Sequence, residues 1–143
     1  MHEYSSTTLV PAFQPDFWSA YTLHLISSYI SILCFAFTFA SGLTFIIYKR
    51  FAAVFTKSFN IGFVFFTISI VSGSVWANYA WGTYWSWDPK ETLSLFSWLA
   101  GTVWLYLRYG RGLFGRRMVW AVVIGIVISR ILYFVLARSL ASW

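Results

Sequence analysis

The chain has 143 residues, of which 59% are hydrophobic, 23% aromatic and only 10% charged. A soluble domain needs roughly 25% charged residues to cover its water-facing surface. The composition therefore excludes a soluble enzyme, and by the same figures an intrinsically disordered chain. What remains is an integral membrane protein. A formal net charge of +6 does not indicate nucleic acid, because the basic residues fall in clusters between apolar stretches and form no single patch. Cys34 is the one cysteine, which excludes an intrachain disulfide, and no Cys-x-x-Cys-His occurs, so the chain is not itself a c-type cytochrome.

In chain order, Met1 to Pro15 is polar, carries Glu3 and lacks a basic region followed by an apolar core, so it reads as an exposed tail and not a cleavable signal. Four apolar stretches follow, the first longer than the ~20 residues that a bilayer crossing needs and the others near that length. They run over about 18–48, 59–76, 89–107 and 118–136, within one membrane domain covering 1–143. The expected fold is all-α, with four transmembrane helices and an aromatic outer loop at 77–88 between the second and third. Lys49, Arg50 and Lys57 separate the first pair, and Arg108, Arg111, Arg116 and Arg117 the last pair. By the positive-inside rule that side is cytoplasmic, stromal or matrix, and the acids Glu3, Asp16, Asp88 and Glu91 fall on the other. The third stretch opens with a start signal: Asp88 as cap, Pro89 at the first helical position, Glu91 in the place of a capping-box acid. Ser69, Gly73 and Ala77 recur every four residues, a small-residue face for close helix contact.

The segment between the second and third stretches reads Trp76-Ala-Asn-Tyr-Ala-Trp81-Gly-Thr-Tyr-Trp85-Ser-Trp87-Asp88-Pro-Lys-Glu91. An interfacial aromatic belt accounts for Trp18, Trp104, Trp120 and Trp143. A dense run closed by Asp-Pro-Lys-Glu builds more than a belt: a broad apolar platform suited to a planar ligand with a charged edge. Haem fits that description, and a quinone or a lipid headgroup fits it less demandingly.

The run closely resembles the tryptophan-rich (WWD) signature of the haem-handling proteins of cytochrome c biogenesis, and within them the system II, CcsA/ResC-type branch. The resemblance extends outward to Trp18, His24 and Tyr29, to Ile61-Gly62, and to Ser97-Trp98. It takes in the C-terminal half or so of a usual family member, the earlier spans being missing. It implies haem b held at the outer loop, with ferrous haem passing to the Cys-x-x-Cys-His of an apocytochrome c. Carried over residue by residue, it implies cofactor contacts at His24, Trp76, Trp81, Trp85, Trp87 and Asp88, with His24 as the iron ligand. Two further histidine positions of the family fall on Arg108 and Ala141, so two of three ligands are absent.

Counting back about 20 residues from Tyr48 puts the outer hydrocarbon edge near Tyr29, which leaves His24 level with the aromatic loop. Arg130 lies roughly 18 Å along a helix from Met118, where an unpaired Arg costs about 2.5–3.5 kcal/mol on insertion scales. It either snorkels to lipid phosphate or faces the bundle, towards Asp88, Glu91 or a ligand carboxylate. Two functional readings compete, with a quinone or lipid site beneath the aromatic loop as a weaker third. One is a membrane protein that holds haem for cytochrome c assembly. The other is a haem-free accessory subunit of a larger respiratory or photosynthetic complex, with other membrane subunits supplying missing spans. Haem delivery or a structural role is expected rather than turnover: no nucleophile–base pair, metal-ligand spacing or phosphate-cradling loop is present. The expected setting is a bacterial inner membrane or an organellar one, thylakoid or mitochondrial inner, with the aromatic loop on the p-side. Lipids are the immediate partners and nucleic acid is not one.

Overall fold

A computed structural model describes residues 15–141, apart from the side chains of Pro15, Phe17, Leu140 and Ala141. His2, Glu3 and most of the expected tail lie outside the described residues. Four α-helices follow in order: α1 (Pro15–Tyr48), α2 (Ala52–Trp81), α3 (Pro89–Leu105) and α4 (Arg116–Ala141). A π-helical turn, Tyr106–Gly110, continues α3.

α1 ends where the apolar run ends. Lys49 adopts a left-handed conformation (φ 56°) and its N–H closes on the Phe45 carbonyl at 2.9 Å. Phe51, also left-handed at φ 64°, starts α2. Two non-glycine residues in this region cost about 1–2 kcal/mol each, and a hairpin this tight forces α1 and α2 into antiparallel contact. Gly82, at φ 79°, ends α2 with its N–H on the Asn78 carbonyl, a position that glycine fills without steric cost. Asp88 caps α3, accepting from the Glu91 N–H at 2.7 Å with Pro89 behind it.

The core sits at the basic end of the bundle. Phe55 and Phe59 of α2, Trp104 of α3, and Val119 and Val123 of α4 are buried together. A Cβ on Gly42 of α1 would come within 2.8 Å of Val123 Cγ2, so the Val123 side chain of α4 packs directly on the α1 backbone there. Phe114 packs against Phe45 and Phe55, which brings the Lys49–Phe51 hairpin and the Arg108–Arg117 connection to one end of the molecule. Towards the other end α4 loosens: Val119 and Val123, both in its first half, are the buried apolar residues it contributes.

Three helical stretches, Trp18–Tyr48, Ala52–Trp81 and Arg116–Ser139, are long and apolar enough to cross a membrane. The expectation of four transmembrane helices is therefore corrected to three. α3 has 17 α-helical residues, roughly 26 Å at ~1.5 Å each, short of a ~30 Å hydrocarbon core. Lys90 and Glu91 occupy its first turn. At Tyr106 the hydrogen bonding changes register, Arg111 N–H reaching the Tyr106 carbonyl at 3.2 Å. α3 nonetheless lies along α2, through stacked Phe63 and Trp98, the Trp98 Nε1–H bond to Thr67 Oγ1 (2.9 Å), and Phe59 on Trp104.

Candidate functional site

The site begins in the seam between α1 and α2. His24 of α1 is half-buried, and its ring lies over the backbone of Gly73 of α2. A Cβ at position 73 would come within 2.7 Å of His24 Nδ1 and 2.9 Å of Cε1, so only glycine leaves room for the imidazole. Nδ1 lies 2.8 Å from the Ser69 carbonyl and 3.3 Å from Ser69 Oγ. A carbonyl oxygen only accepts, so the geometry assigns a proton to Nδ1. In the neutral ring Nε2 then carries the lone pair, and it has no hydrogen-bond partner among the described residues. Ser28 Oγ donates to the His24 carbonyl at 2.6 Å and sits 2.6 Å from Ser69 Oγ, tying both helices to the same point.

Trp76 lies parallel to the His24 ring, at 3° with centroids 6.3 Å apart. Tyr21 tilts onto Trp76 at 5.6 Å, Trp18 meets Tyr21 edge-on, and Trp81 meets Trp76 edge-on at 5.7 Å. One connected aromatic group thus meets the imidazole through Trp76. Trp81 and Trp87 are each 69% exposed, leaving indole faces open at this end.

α2 continues through Trp81, so the irregular loop is 82–88, shorter than the expected 77–88. Ser74 Oγ donates to the Tyr84 carbonyl at 2.8 Å and holds the loop against α2. Trp85 and Trp87 form their own edge-to-face pair at 5.9 Å, and Trp85 Nε1 is buried without a hydrogen-bond partner among the described residues. Trp87 is left-handed at φ 60°, a strained conformation for a bulky residue. Glu91 holds this turn: its Oε2 accepts from Ser86 N (2.7 Å) and Ser86 Oγ (3.1 Å).

Of the residues singled out in the sequence, His24, Trp76 and Trp81 come together, while Trp85 and Trp87 form a second pair on the loop. Asp88 is engaged as the α3 cap. Arg130 is exposed on α4 and makes no hydrogen bond or ring contact to the His24–Trp76 group among the described residues. Arg108 stands half-buried at the opposite, basic end, its guanidinium 4.8 Å over the Phe114 ring. Ala141 ends α4, its side chain outside the described residues. No group of three or more His, Cys, Asp or Glu forms among the described residues. The sequence missed Gly73, Ser69, Ser28 and Tyr21 as site residues. The four-residue stripe through Ser69 and Gly73 was the available signal, but it does not say which α1 residue it meets.

Membrane-length helices with a tryptophan-rich end around one imidazole define the class: an integral membrane protein with an aromatic site at one face. The chain belongs to the cytochrome c assembly protein family, whose model matches residues 5–141. It is similar to the cytochrome c biogenesis protein CcsA of Synechococcus sp. (strain CC9605), 48% identical over 77 residues, 54% of this chain and 25% of the relative. The same protein of Mesostigma viride is also 48% identical over 77 residues, with the same coverage, and that of Prochlorococcus marinus (strain MIT 9303) is 44% identical over 77. The matched stretch is thus about a quarter of the length of these curated relatives. No solved structure matches.

Proposed function

We propose that this chain holds haem b for cytochrome c assembly, at the aromatic end, with His24 as its axial ligand. The observation that carries the reading is the His24 environment. A metal-binding histidine characteristically donates its other ring N–H to a carbonyl, which fixes the tautomer and presents a bare nitrogen. Nδ1 on the Ser69 carbonyl, with Nε2 unpartnered among the described residues, is that arrangement. Haem would supply an iron for His24 Nε2 to ligate and a macrocycle with two apolar faces. Trp76 and Trp81 offer indole surface beside the imidazole, and the exposed face of Trp87 extends it. Lys90, at the loop's edge, suits a propionate. Haem held this way passes to an apocytochrome c, a delivery role without turnover. The basic end, carrying Lys49, Arg50, Arg108, Arg111, Arg116 and Arg117, supports an orientation with the aromatic end on the p-side. The cyanobacterial and algal sources of the relatives support a thylakoid-type membrane.

The test is haem titration of the purified protein in lipid nanodiscs. The expected spectrum is that of a single-histidine, five-coordinate iron, which added imidazole converts to a six-coordinate one. His24→Ala abolishes tight binding. A protein that shows no Soret shift when haem is supplied overturns the reading. The haem-free accessory subunit then stands in its place, favoured by Arg108, which is packed on Phe114 at a position where the resemblance leads one to expect a histidine.

A further inference from the structure

We infer that Gly73 and the Ser69 carbonyl act together as a positioning device that selects the tautomer and rotation of His24, leaving Nε2 as its only ligating atom. The inference deepens the haem reading and rests on it for its purpose, but the device itself is a property of the ligand-free protein. Three observations carry it. The imidazole lies on Gly73 at a separation that a Cβ would reduce to 2.7 Å from Nδ1, so the ring has this position only because residue 73 has no side chain. The atom brought closest to α2 is Nδ1, and its nearest acceptor is the Ser69 carbonyl at 2.8 Å. That carbonyl can take only a donor, so the alternative tautomer, with its proton on Nε2, would set a nitrogen lone pair against an oxygen lone pair in a half-buried seam.

The surroundings leave the ring little freedom to turn. The Ser69 hydroxyl lies 3.3 Å from Nδ1 and is linked to Ser28 Oγ at 2.6 Å. Ser28 Oγ in turn donates to the His24 carbonyl at 2.6 Å, so the network returns to the residue it positions. Trp76 runs parallel to the imidazole at 3°, its ring centroid 6.3 Å away. A flip about Cβ–Cγ, which exchanges Nδ1 with Cδ2, would place a C–H against the Ser69 carbonyl and lose the bond. Sequence spacing joins the parts: Ser69 and Gly73 lie one helical turn apart on one face of α2, and His24 and Ser28 one turn apart on the facing side of α1. Positioning and proton assignment thus come from the same close crossing.

The test is 15N NMR of protein labelled at histidine, in nanodiscs without haem, at a pH where the ring is neutral; the His2 resonance is removed by His2→Ala. The expected spectrum shows a protonated Nδ1 and an unprotonated Nε2 for His24. Gly73→Ala is expected to abolish that signature, whereas Ser69→Ala keeps it because the carbonyl remains. Gly101→Ala is the control: its Cβ would come within 2.5 Å of Phe63, an equally close helix contact remote from the imidazole, and it leaves the signature unchanged. In the haem titration Gly73→Ala weakens binding at least tenfold, and free imidazole restores a ligated spectrum. A wild-type spectrum of the Nε2–H tautomer, or of two exchanging tautomers, overturns the inference, as does an unchanged signature in Gly73→Ala. If Gly73→Ala does not fold, the wild-type spectrum still decides. The two readings fail separately. Haem binding by a protein with the wrong tautomer removes the positioning device alone, and the expected tautomer in a protein that binds no haem removes the haem reading alone.

Discussion

Glu91 is the residue whose removal tests how the aromatic loop is held. Its carboxylate accepts from Ser86 N at 2.7 Å and from Ser86 Oγ at 3.1 Å, five residues back along the chain. Hydrogen bonds to a charged group contribute about 1.5–3 kcal/mol each when shielded. Ser86 is exposed and Glu91 only half-buried, so water replaces part of what Glu91→Ala removes, and about 1.4 kcal/mol for the pair is a reasonable figure. That is about a factor of ten in the opening equilibrium of the loop. The assay is amide hydrogen exchange at Ser86 in nanodiscs, where Glu91→Ala should exchange about tenfold faster. Glu91→Gln keeps an acceptor but loses the charge, and should fall between the two. Asp88→Ala supplies the contrast. It removes the cap bond to Glu91 N, worth about 1 kcal/mol, and should speed exchange at the Glu91 amide while leaving Ser86 largely protected. If haem binds only the closed loop, its affinity should fall in Glu91→Ala by no more than the same factor. Unchanged exchange at Ser86 in Glu91→Ala would refute the claim that this carboxylate holds the turn.

Two further outcomes follow from the packing. Gly42→Ala drives a methyl group to 2.8 Å from Val123 and 3.2 Å from Phe55, so overpacking should cost about 1–3 kcal/mol, seen as a lowered thermal midpoint in detergent. In a Cys34→Ser background, an impermeant maleimide should label Ser86→Cys from the p-side and Arg50→Cys, at the far end of the membrane-length α2, only from the opposite side; labelling of both from one side would reject the orientation.

Much of the fold was legible because the bilayer simplifies it. The end of α1 at Tyr48 follows from Lys49-Arg50, and the start of α3 from Asp88-Pro89, since charge and capping act locally. The start and end of α2 were harder. Lys57 reads as loop, yet on the helix it is simply exposed near the end of a span, where a long side chain keeps its charge in water. Asn78 and Tyr79 also read as loop, but nothing between Trp76 and Trp81 breaks a helix, and α2 stops only at Gly82. The change of register at Tyr106 has no signal in Leu105-Tyr106-Leu107, and it is what separates a count of 89–107 from an α-helix of 17 residues. The level of His24 beside the aromatic end follows from its distance to Tyr48, and its ring does stand next to Trp76. Its hydrogen-bond partners were not legible, because which turn of α2 faces which turn of α1 depends on the length of the hairpin at Lys49–Phe51 and on how closely two backbones approach.

That approach has its own cause in the sequence. Lipid gives apolar helices no hydrophobic reason to associate, so contact depends on close packing and on satisfied polar groups. The α1–α2 seam is built from small hydroxyl residues: Ser27, Ser31, Thr38, Ser41, Ser69 and Ser72 are all buried. Most return their proton to a carbonyl one turn back on their own helix, as Ser27 to Leu23, Thr38 to Cys34, Ser41 to Phe37 and Ser72 to Ile68. Side chains that are short and already satisfied cost little to bury and hold the helices no further apart than their own width. Bulky residues at the same positions would separate the backbones by the length of a side chain. The Ser69 carbonyl would then lie beyond the reach of an imidazole on α1. The hydrogen bond at His24 Nδ1 is therefore a product of the whole seam, and a substitution that widens it at Ser27 or Ser72 should disturb the imidazole without touching it.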